Sequence, residues 1–175
     1  YFQLQRDHVA PEGETKMVST FTGPAVYTEA EKYQKVDFGD AIAGKAKFAK
    51  TADNGWLAMV QHYFVSAWIP ADKSPREFYM RKADGVENVV QAGVIVPVAE
   101  VAPGAKGGVA VTLFAGPQIQ DSLKKIAPGL DLVVDYGWLT VVAAPIFWAL
   151  EAIHRLVGNW GWAIVILTVL IKAAF

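Results

Sequence analysis

The last forty residues of the chain, 136–175, contain only three formal charges: Glu151, Arg155 and Lys172. The 135 residues before them contain 14 Lys and Arg and 16 Asp and Glu, as in an ordinary, mildly acidic soluble domain. Their net charge of about −2 provides no basic surface for nucleic acid. The charge distribution therefore predicts two parts, a soluble domain over residues 1–135 and an apolar C-terminal region.

The first part has the pattern of antiparallel β-sheet. Glycine and proline recur at short intervals, and the runs between them are rich in Val, Thr, Tyr, Phe and Trp, as in "MVSTFTGPAVYT" and "GVAVTLFAGP". Taken as one strand, the run Trp56–Ile69 is largely apolar on both faces, which predicts a strand between two packed layers. His62 in this run is interpreted as a hydrogen-bonded sheet residue.

A helical period replaces the strand pattern in "PQIQDSLKKIAPGL". Three apolar residues share one helix face there: Ile119, Leu123 and Ile126. The spacing predicts a short helix at about 117–127, ended by Pro128 and Gly129.

Residues 136–158 are predicted to contain an amphipathic helix, with Pro145 in its first turn and Gly158 at its C-terminal end. Its polar residues share an arc of about 100°: Glu151, His154 and Arg155. This helix of about thirteen residues is too short to cross a bilayer and suits the membrane surface. A buried helix in a globular core is the alternative, and His154 is interpreted as part of the water-facing stripe.

Four of the six tryptophans lie in or beside this helix: Trp138, Trp148, Trp160 and Trp162. Indole rings concentrate at the headgroup boundary, where one edge is hydrated and the ring is buried in apolar surroundings. We therefore predict that these four residues lie at a membrane interface.

Residues 159–175 leave two possibilities open: either a transmembrane helix starts here and continues past Phe175, or the region contains no membrane span. The run "WGWAIVILTVLIKAAF" would reach about two-thirds of a hydrocarbon core roughly 30 Å thick. We expect the polypeptide to continue beyond Phe175, and also to begin before Tyr1, because "YFQLQRDH" resembles the middle of a strand.

Lys172 lies in this apolar run, about 18 Å along the helix axis from Trp160. A lysine at the centre of a bilayer costs several kcal/mol. Two interpretations stay open: a lysine that extends its side chain to the headgroups, or a functional cation within the membrane.

No catalytic motif was found. The sequence has no GxSxG, HExxH or phosphate-binding loop, and no cysteine for a disulfide or a thiolate site. The three histidines lie far apart in the sequence, and no carboxylate pattern joins them: His8, His62 and His154. We predict no catalytic residue, no metal site and no cofactor.

Several long motifs, in the correct order, resemble the YidC family of bacterial membrane protein insertases. They are "GWLAMVQHYFVSAWIP", "LFAGPQIQD", "LDLVVDYGWL", "IHRLVGNWGWAI" and the isolated cation of "ILTVLIK", between about Thr20 and Phe175. The resemblance implies the later part of a periplasmic antiparallel β-supersandwich over 1–135, an interfacial amphipathic helix in 136–158 and a truncated transmembrane helix in 159–175. It also implies a multi-pass protein of the bacterial inner membrane, with most of this chain in the periplasm.

The resemblance further implies a non-enzymatic insertase and chaperone that helps nascent proteins enter and fold in the membrane. Lys172 falls where the family carries the positive charge of its hydrophilic intramembrane groove, usually Arg and in some members Lys. The implied partners are nascent inner-membrane proteins, the lipid bilayer and, through parts mostly outside this chain, the Sec translocon and the ribosome. No cofactor and no nucleic acid are implied.

Two other functions remain open from the residues. A periplasmic β-sandwich held by a single membrane span could act as a binding or chaperone module. A sugar epimerase would need an acid and a base paired in a cleft, and His62 has no identifiable partner in the sequence.

Overall fold

The computed structural model describes residues 1–8, 21–71, 73–134 and 140–174. The chain forms two compact units, Tyr1–Val134 and Asp135–Phe175. Each unit is described by itself below.

Within its described residues, the first unit contains strands and short helices. The strands are β1 (Phe2–Asp7), β2 (Gly23–Thr28), β3 (Lys32–Lys35), β4 (Thr51–Ala52), β5 (Trp56–Val60), β6 (Phe64–Pro70), β7 (Arg76–Lys82), β8 (Val89–Ile95) and β9 (Val111–Pro117). The helices are α1 (Phe38–Ile42), α2 (Gln120–Ile126) and a 3-10 helix (Leu130–Val133).

The strands form two antiparallel sheets. One has the strand order β1-β8-β7-β4, and the other has the order β3-β2-β5-β6-β9. Neighbouring strands pair antiparallel throughout both sheets. The prediction of a mostly antiparallel β fold is therefore confirmed.

Strand β5 is buried on both faces and connects two apolar cores. Leu57 and Met59 point into the core between the two sheets, together with Phe78 from β7. Trp56 and Ala58 point to the opposite face, which is covered by α2 and the 3-10 helix. The larger sheet is thus a middle layer, as the apolar character of both faces of this run predicted.

The prediction that Trp56–Ile69 is one strand is wrong. The chain reverses between β5 and β6, and the Gln61 amide donates a hydrogen bond of 2.8 Å to the Phe64 carbonyl. His62 lies in this turn rather than in the sheet, with its ring edge-on to Tyr63 at 4.1 Å between centroids. The turn was missed because it contains no Gly, Pro, Asn or Asp, and because apolar alternation continues on both sides of it.

Helix α2 lies inside the region predicted to be helical, at about 117–127. Leu123 is fully buried against the larger sheet, while Lys124 and Lys125 on the other side are exposed. Gly129 follows with a φ of +72°, and a Cβ atom at this position would collide with the ring of Tyr27. Glycine is therefore required where the chain leaves α2 and enters the 3-10 helix.

The second unit contains two helices that pack against each other, α3 (Thr140–Val157) and α4 (Trp160–Ala174). Helix α3 begins at Thr140, so Pro145 lies inside the helix and the prediction that it occupies the first turn is wrong. A proline this early in a helix removes only one hydrogen bond, to the carbonyl four residues before it. The alanines that precede Pro145 are strong helix formers, and they help the helix to tolerate the loss.

Among the helices that the structure describes, none combines the length and the apolar character needed to cross a membrane.

Candidate functional site

Helix α3 exposes large apolar side chains along most of its length. Trp148 is 67% exposed and Leu156 is 87% exposed. Arg155 and Glu151 face each other one turn apart, with 3.8 Å between Nη2 and Oε2. Because both side chains are partly or largely exposed, this pair contributes little to stability.

The link between α3 and α4 consists of Gly158 and Asn159. The Gly158 amide donates a hydrogen bond of 2.7 Å to the His154 carbonyl, and the φ of Gly158 is +66°. This left-handed conformation is the usual way in which a glycine ends a helix. Asn159 Oδ1 accepts a hydrogen bond of 3.2 Å from the Trp162 amide and thereby caps the start of α4.

The imidazole of His154 stacks on the indole of Trp160 across this link. The ring centroids are 3.8 Å apart, and the ring planes differ by 9°. His154 is half-buried, so its interpretation as part of a water-facing stripe is incomplete. This contact was not predicted from the sequence, although the two residues flank a Gly-Asn helix break at a spacing that allows it.

Helix α4 is apolar and largely exposed. Val169 is 61% exposed, whereas Ala163 has no exposed surface. The Thr168 hydroxyl donates a hydrogen bond of 2.8 Å to the Ile164 carbonyl, so this polar group is satisfied within the helix. Such a helix can enter an apolar solvent without an unpaired hydroxyl.

Lys172 lies in the last turn of α4 as the structure describes it, and its side chain is exposed. Among the described residues, none forms an ion pair with the Lys172 ammonium. Twelve helical positions separate Lys172 from Trp160, which at about 1.5 Å per residue corresponds to roughly 18 Å along the axis. Lys172 therefore lies well away from the link that joins the two helices.

Three of the four predicted interface tryptophans lie within the described residues. Trp148, Trp160 and Trp162 are 67%, 49% and 65% exposed, in contrast to Trp56, which is 2% exposed in the β unit. Trp138 lies outside the described residues. The exposed surface of this helical unit is apolar over a large part of its area, which is typical of a surface that contacts a membrane or another protein.

The β unit has a cavity of about 150 Å³ lined by Tyr27, Trp56 and Arg76, among others. Arg76 is 4% exposed, and its guanidinium donates hydrogen bonds to the carbonyls of Gly55 at 2.8 Å and Ser74 at 3.1 Å. The buried cation therefore joins neighbouring segments of backbone. In the part of the chain that the structure describes, no three His, Asp or Glu side chains are grouped so that they could hold a metal ion.

Comparison with known proteins identifies the family. The YidC periplasmic domain family matches residues 1–149, which include the whole β unit and the first half of α3. The chain belongs to the YidC family. This confirms the resemblance found in the sequence motifs.

The similarity to individual YidC proteins extends over the whole chain. Identity is 77% over 175 residues to the membrane protein insertase YidC of Dechloromonas aromatica and 60% over 176 residues to that of Aromatoleum aromaticum, with 32% of each relative covered. It is 54% over 175 residues to that of Nitrosospira multiformis, with 30% of the relative covered. The chain thus spans about a third of the length of the curated relatives it matches.

Proposed function

We propose that this chain is part of a membrane protein insertase of the bacterial inner membrane. The observation that carries the proposal is the helical unit, whose exposed surface is apolar and whose second helix has a single cation, Lys172, near its end. The names of the YidC relatives support it. The proposed protein is a multi-pass membrane protein that is not an enzyme and needs no cofactor.

In this proposal, the β unit lies in the periplasm and α3 lies along the outer surface of the membrane. Trp148, Trp160 and Trp162 contact the headgroup region, as does Trp138. Helix α4 begins a transmembrane span. The exposed apolar side chains of both helices support this arrangement, because their burial in lipid is favourable by roughly 25 cal/mol for each Å² of apolar surface.

Lys172 then acts in a hydrophilic groove within the membrane. Its ammonium attracts a polar or acidic segment of a nascent protein, and this attraction is stronger there than in water because the effective dielectric constant is lower. The apolar segment of the client then partitions into lipid, and this burial drives insertion. The groove lowers the cost of carrying polar groups part of the way across.

The proposed partners are nascent inner-membrane proteins and the lipid bilayer. The Sec translocon and the ribosome would bind through parts of the protein that are mostly outside this chain. Lys172 is the groove residue that this chain contributes, so insertion requires the full-length protein.

Complementation of a depletion strain with full-length variants tests the role of Lys172. Lys172→Arg keeps the charge and should support insertion, whereas Lys172→Leu should impair clients with charged translocated tails. Lys172→Glu should be worse, because it replaces attraction by repulsion. Ile171→Leu, a conservative change in the same turn, is the control for repacking of the helix.

The alternative is that Lys172 only anchors the helix by reaching the headgroups. In that case Lys172→Leu should insert clients normally, and any defect should appear in topology or abundance. Normal insertion of several clients by Lys172→Leu, at matched protein level, would therefore reject a groove charge in this protein.

A further inference from the structure

We propose that His154 is a positioning residue: its stack on Trp160 fixes the direction of α4 relative to α3 and, through α4, the location of Lys172. The contact itself is independent of the proposed function, and only its consequence for Lys172 depends on it. The starting observation is the near-parallel pair of rings, with centroids 3.8 Å apart and planes 9° apart.

The backbone link alone leaves the angle between the helices incompletely determined. Gly158 is held by its left-handed φ and by the bond from its amide to the His154 carbonyl. Asn159 caps α4 through the Trp162 amide. These bonds determine where each helix ends, but a two-residue link still contains torsions that can tilt one axis against the other.

The stack is a contact beside the link that resists this tilt. It joins the last full turn of α3 to the first residue of α4, so any change in the angle between the axes separates or shears the two rings. Helices α3 and α4 also pack against each other, and Ala163, one turn into α4, has no exposed surface. The ring stack therefore adds a restraint on the direction of α4 to those that the link provides.

Hydrophobic burial alone does not account for the pair. The stacked pair Tyr27 and Trp56 lies in the β core, with Trp56 2% exposed, whereas Trp160 remains 49% exposed while stacked on His154. Because about half of the Trp160 surface stays exposed, the stack adds little hydrophobic burial. It lies beside the link, where it can control the orientation of α4 relative to α3.

The length of α4 amplifies small changes at the link. Lys172 lies about 18 Å along the axis from Trp160, so a tilt of about 10° moves it sideways by about 3 Å. A displacement of this size is comparable to the length of a hydrogen bond. Loss of the stack should therefore disturb the position of the ammonium without changing α4 itself.

Pulsed electron paramagnetic resonance on the full-length protein in lipid nanodiscs tests the proposal. Spin labels at Ala144→Cys on α3 and Val169→Cys on α4 use two exposed positions of this chain, which has no native cysteine, and any cysteine elsewhere in the full-length protein is first replaced by serine. His154→Ala should broaden the distribution of distances between the labels at least twofold. His154→Phe keeps a stacking ring and should restore the narrow distribution.

Two further variants serve as a replicate and a control. Trp160→Leu removes the other ring and should broaden the distribution as His154→Ala does. Arg155→Ala changes the neighbouring residue and its pair with Glu151, and should leave the distribution unchanged. An unchanged distribution in both His154→Ala and Trp160→Leu would overturn the proposal, whatever their insertion activity.

Client insertion by the same variants tests the consequence for Lys172. Insertion by His154→Ala should fall severalfold, and addition of Lys172→Leu should then cause little further loss. If the distances broaden but Lys172→Leu causes the same loss in both backgrounds, the link to Lys172 is wrong. If Lys172→Leu has no effect in either background, the proposed groove charge fails while the positioning contact stands.

Discussion

The indole Nε1 of Trp56 donates a hydrogen bond of 2.9 Å to the carbonyl oxygen of Pro128, 72 residues further along the chain. This bond ties β5 in the middle layer to the segment that follows α2. Trp68 on the adjacent strand differs, because its buried Nε1 has no hydrogen-bond partner among the described residues. The two tryptophans therefore form a matched pair for measuring the contribution of the bond.

We expect Trp56→Phe to lower the free energy of unfolding of the β unit by about 1 kcal/mol, because it removes the donor of a part-buried hydrogen bond. Trp68→Phe should cost less, since it removes a donor that is already unpaired. Hydrogen exchange at the amides of α2 in the full-length protein measures the local effect. Equal protection in the two variants would contradict this assignment.

Tyr79 extends across Gly93 on the neighbouring strand β8 and donates a hydrogen bond of 2.8 Å to Gln3 Oε1 on β1. A Cβ atom at Gly93 would overlap the Tyr79 ring. The phenol of Tyr79 thus joins β7 to the edge strand β1 across the intervening strand β8. The absence of a side chain at Gly93 leaves the space for the ring.

A double-mutant cycle tests this relation. Gly93→Ala should destabilise the β unit by about 1–3 kcal/mol, because the added methyl group displaces the ring. In a Tyr79→Val background the same change should cost less, with a coupling energy of about 0.5 kcal/mol or more. The free energies of unfolding are measured with denaturant. If the losses from Gly93→Ala and Tyr79→Val simply add in the double variant, the Tyr79 ring and Gly93 are independent.

The pH dependence of stability follows from the same phenol. Burial raises the pKa of Tyr79 above its ordinary value, and the nearby Arg81 guanidinium offsets part of the increase. Between the unfolded pKa of about 10 and the higher folded pKa, the folded state therefore binds more protons than the unfolded state. The stabilising contribution is full below pH 10 and is lost as the pH rises through the folded pKa.

Comparison of the native chain with Tyr79→Phe isolates this contribution. The free energy of unfolding of the native protein should fall more steeply above about pH 10 than that of the variant, which has no ionisable group at this position. Denaturant unfolding at several values between about pH 8 and pH 12 measures the two slopes. Parallel curves would contradict the prediction.

The proposed position of α3 predicts different surroundings for two of its residues. A spin label at Trp148→Cys should collide mainly with lipid-soluble oxygen, and one at Arg155→Cys mainly with a water-soluble nickel reagent. The full-length protein in nanodiscs is used for both. Predominant contact with the nickel reagent at both positions would argue against an interfacial helix.

Local features of the sequence were sufficient to predict the main secondary-structure elements of the β unit. Short-range periodicity predicted antiparallel strands and the helix at about 117–127, and the structure contains both. The domain bounds drawn from the charge distribution, with a division after residue 135, stay a prediction. The strand and helix predictions succeed because side-chain direction repeats every two residues in a strand and about every 3.6 in a helix. Motifs of seven to sixteen residues, in the correct order, were sufficient to indicate the family.

The roles assigned to Lys172 and to the interface tryptophans stay predictions. A single cation or indole carries no local signal that distinguishes an anchor from a functional group. What surrounds it depends on parts of the protein that lie far away in the sequence.

Tertiary structure alone decided where the chain reverses and which distant groups meet. Apolar alternation is the same in one long strand and in the two arms of a hairpin, so the turn at His62 had no distinguishing pattern. The contacts of Trp56 with Pro128 and of His154 with Trp160 depend on the path of the backbone between the partners. Periodicity specifies the face on which a side chain lies, but only the folded backbone determines which other face it meets.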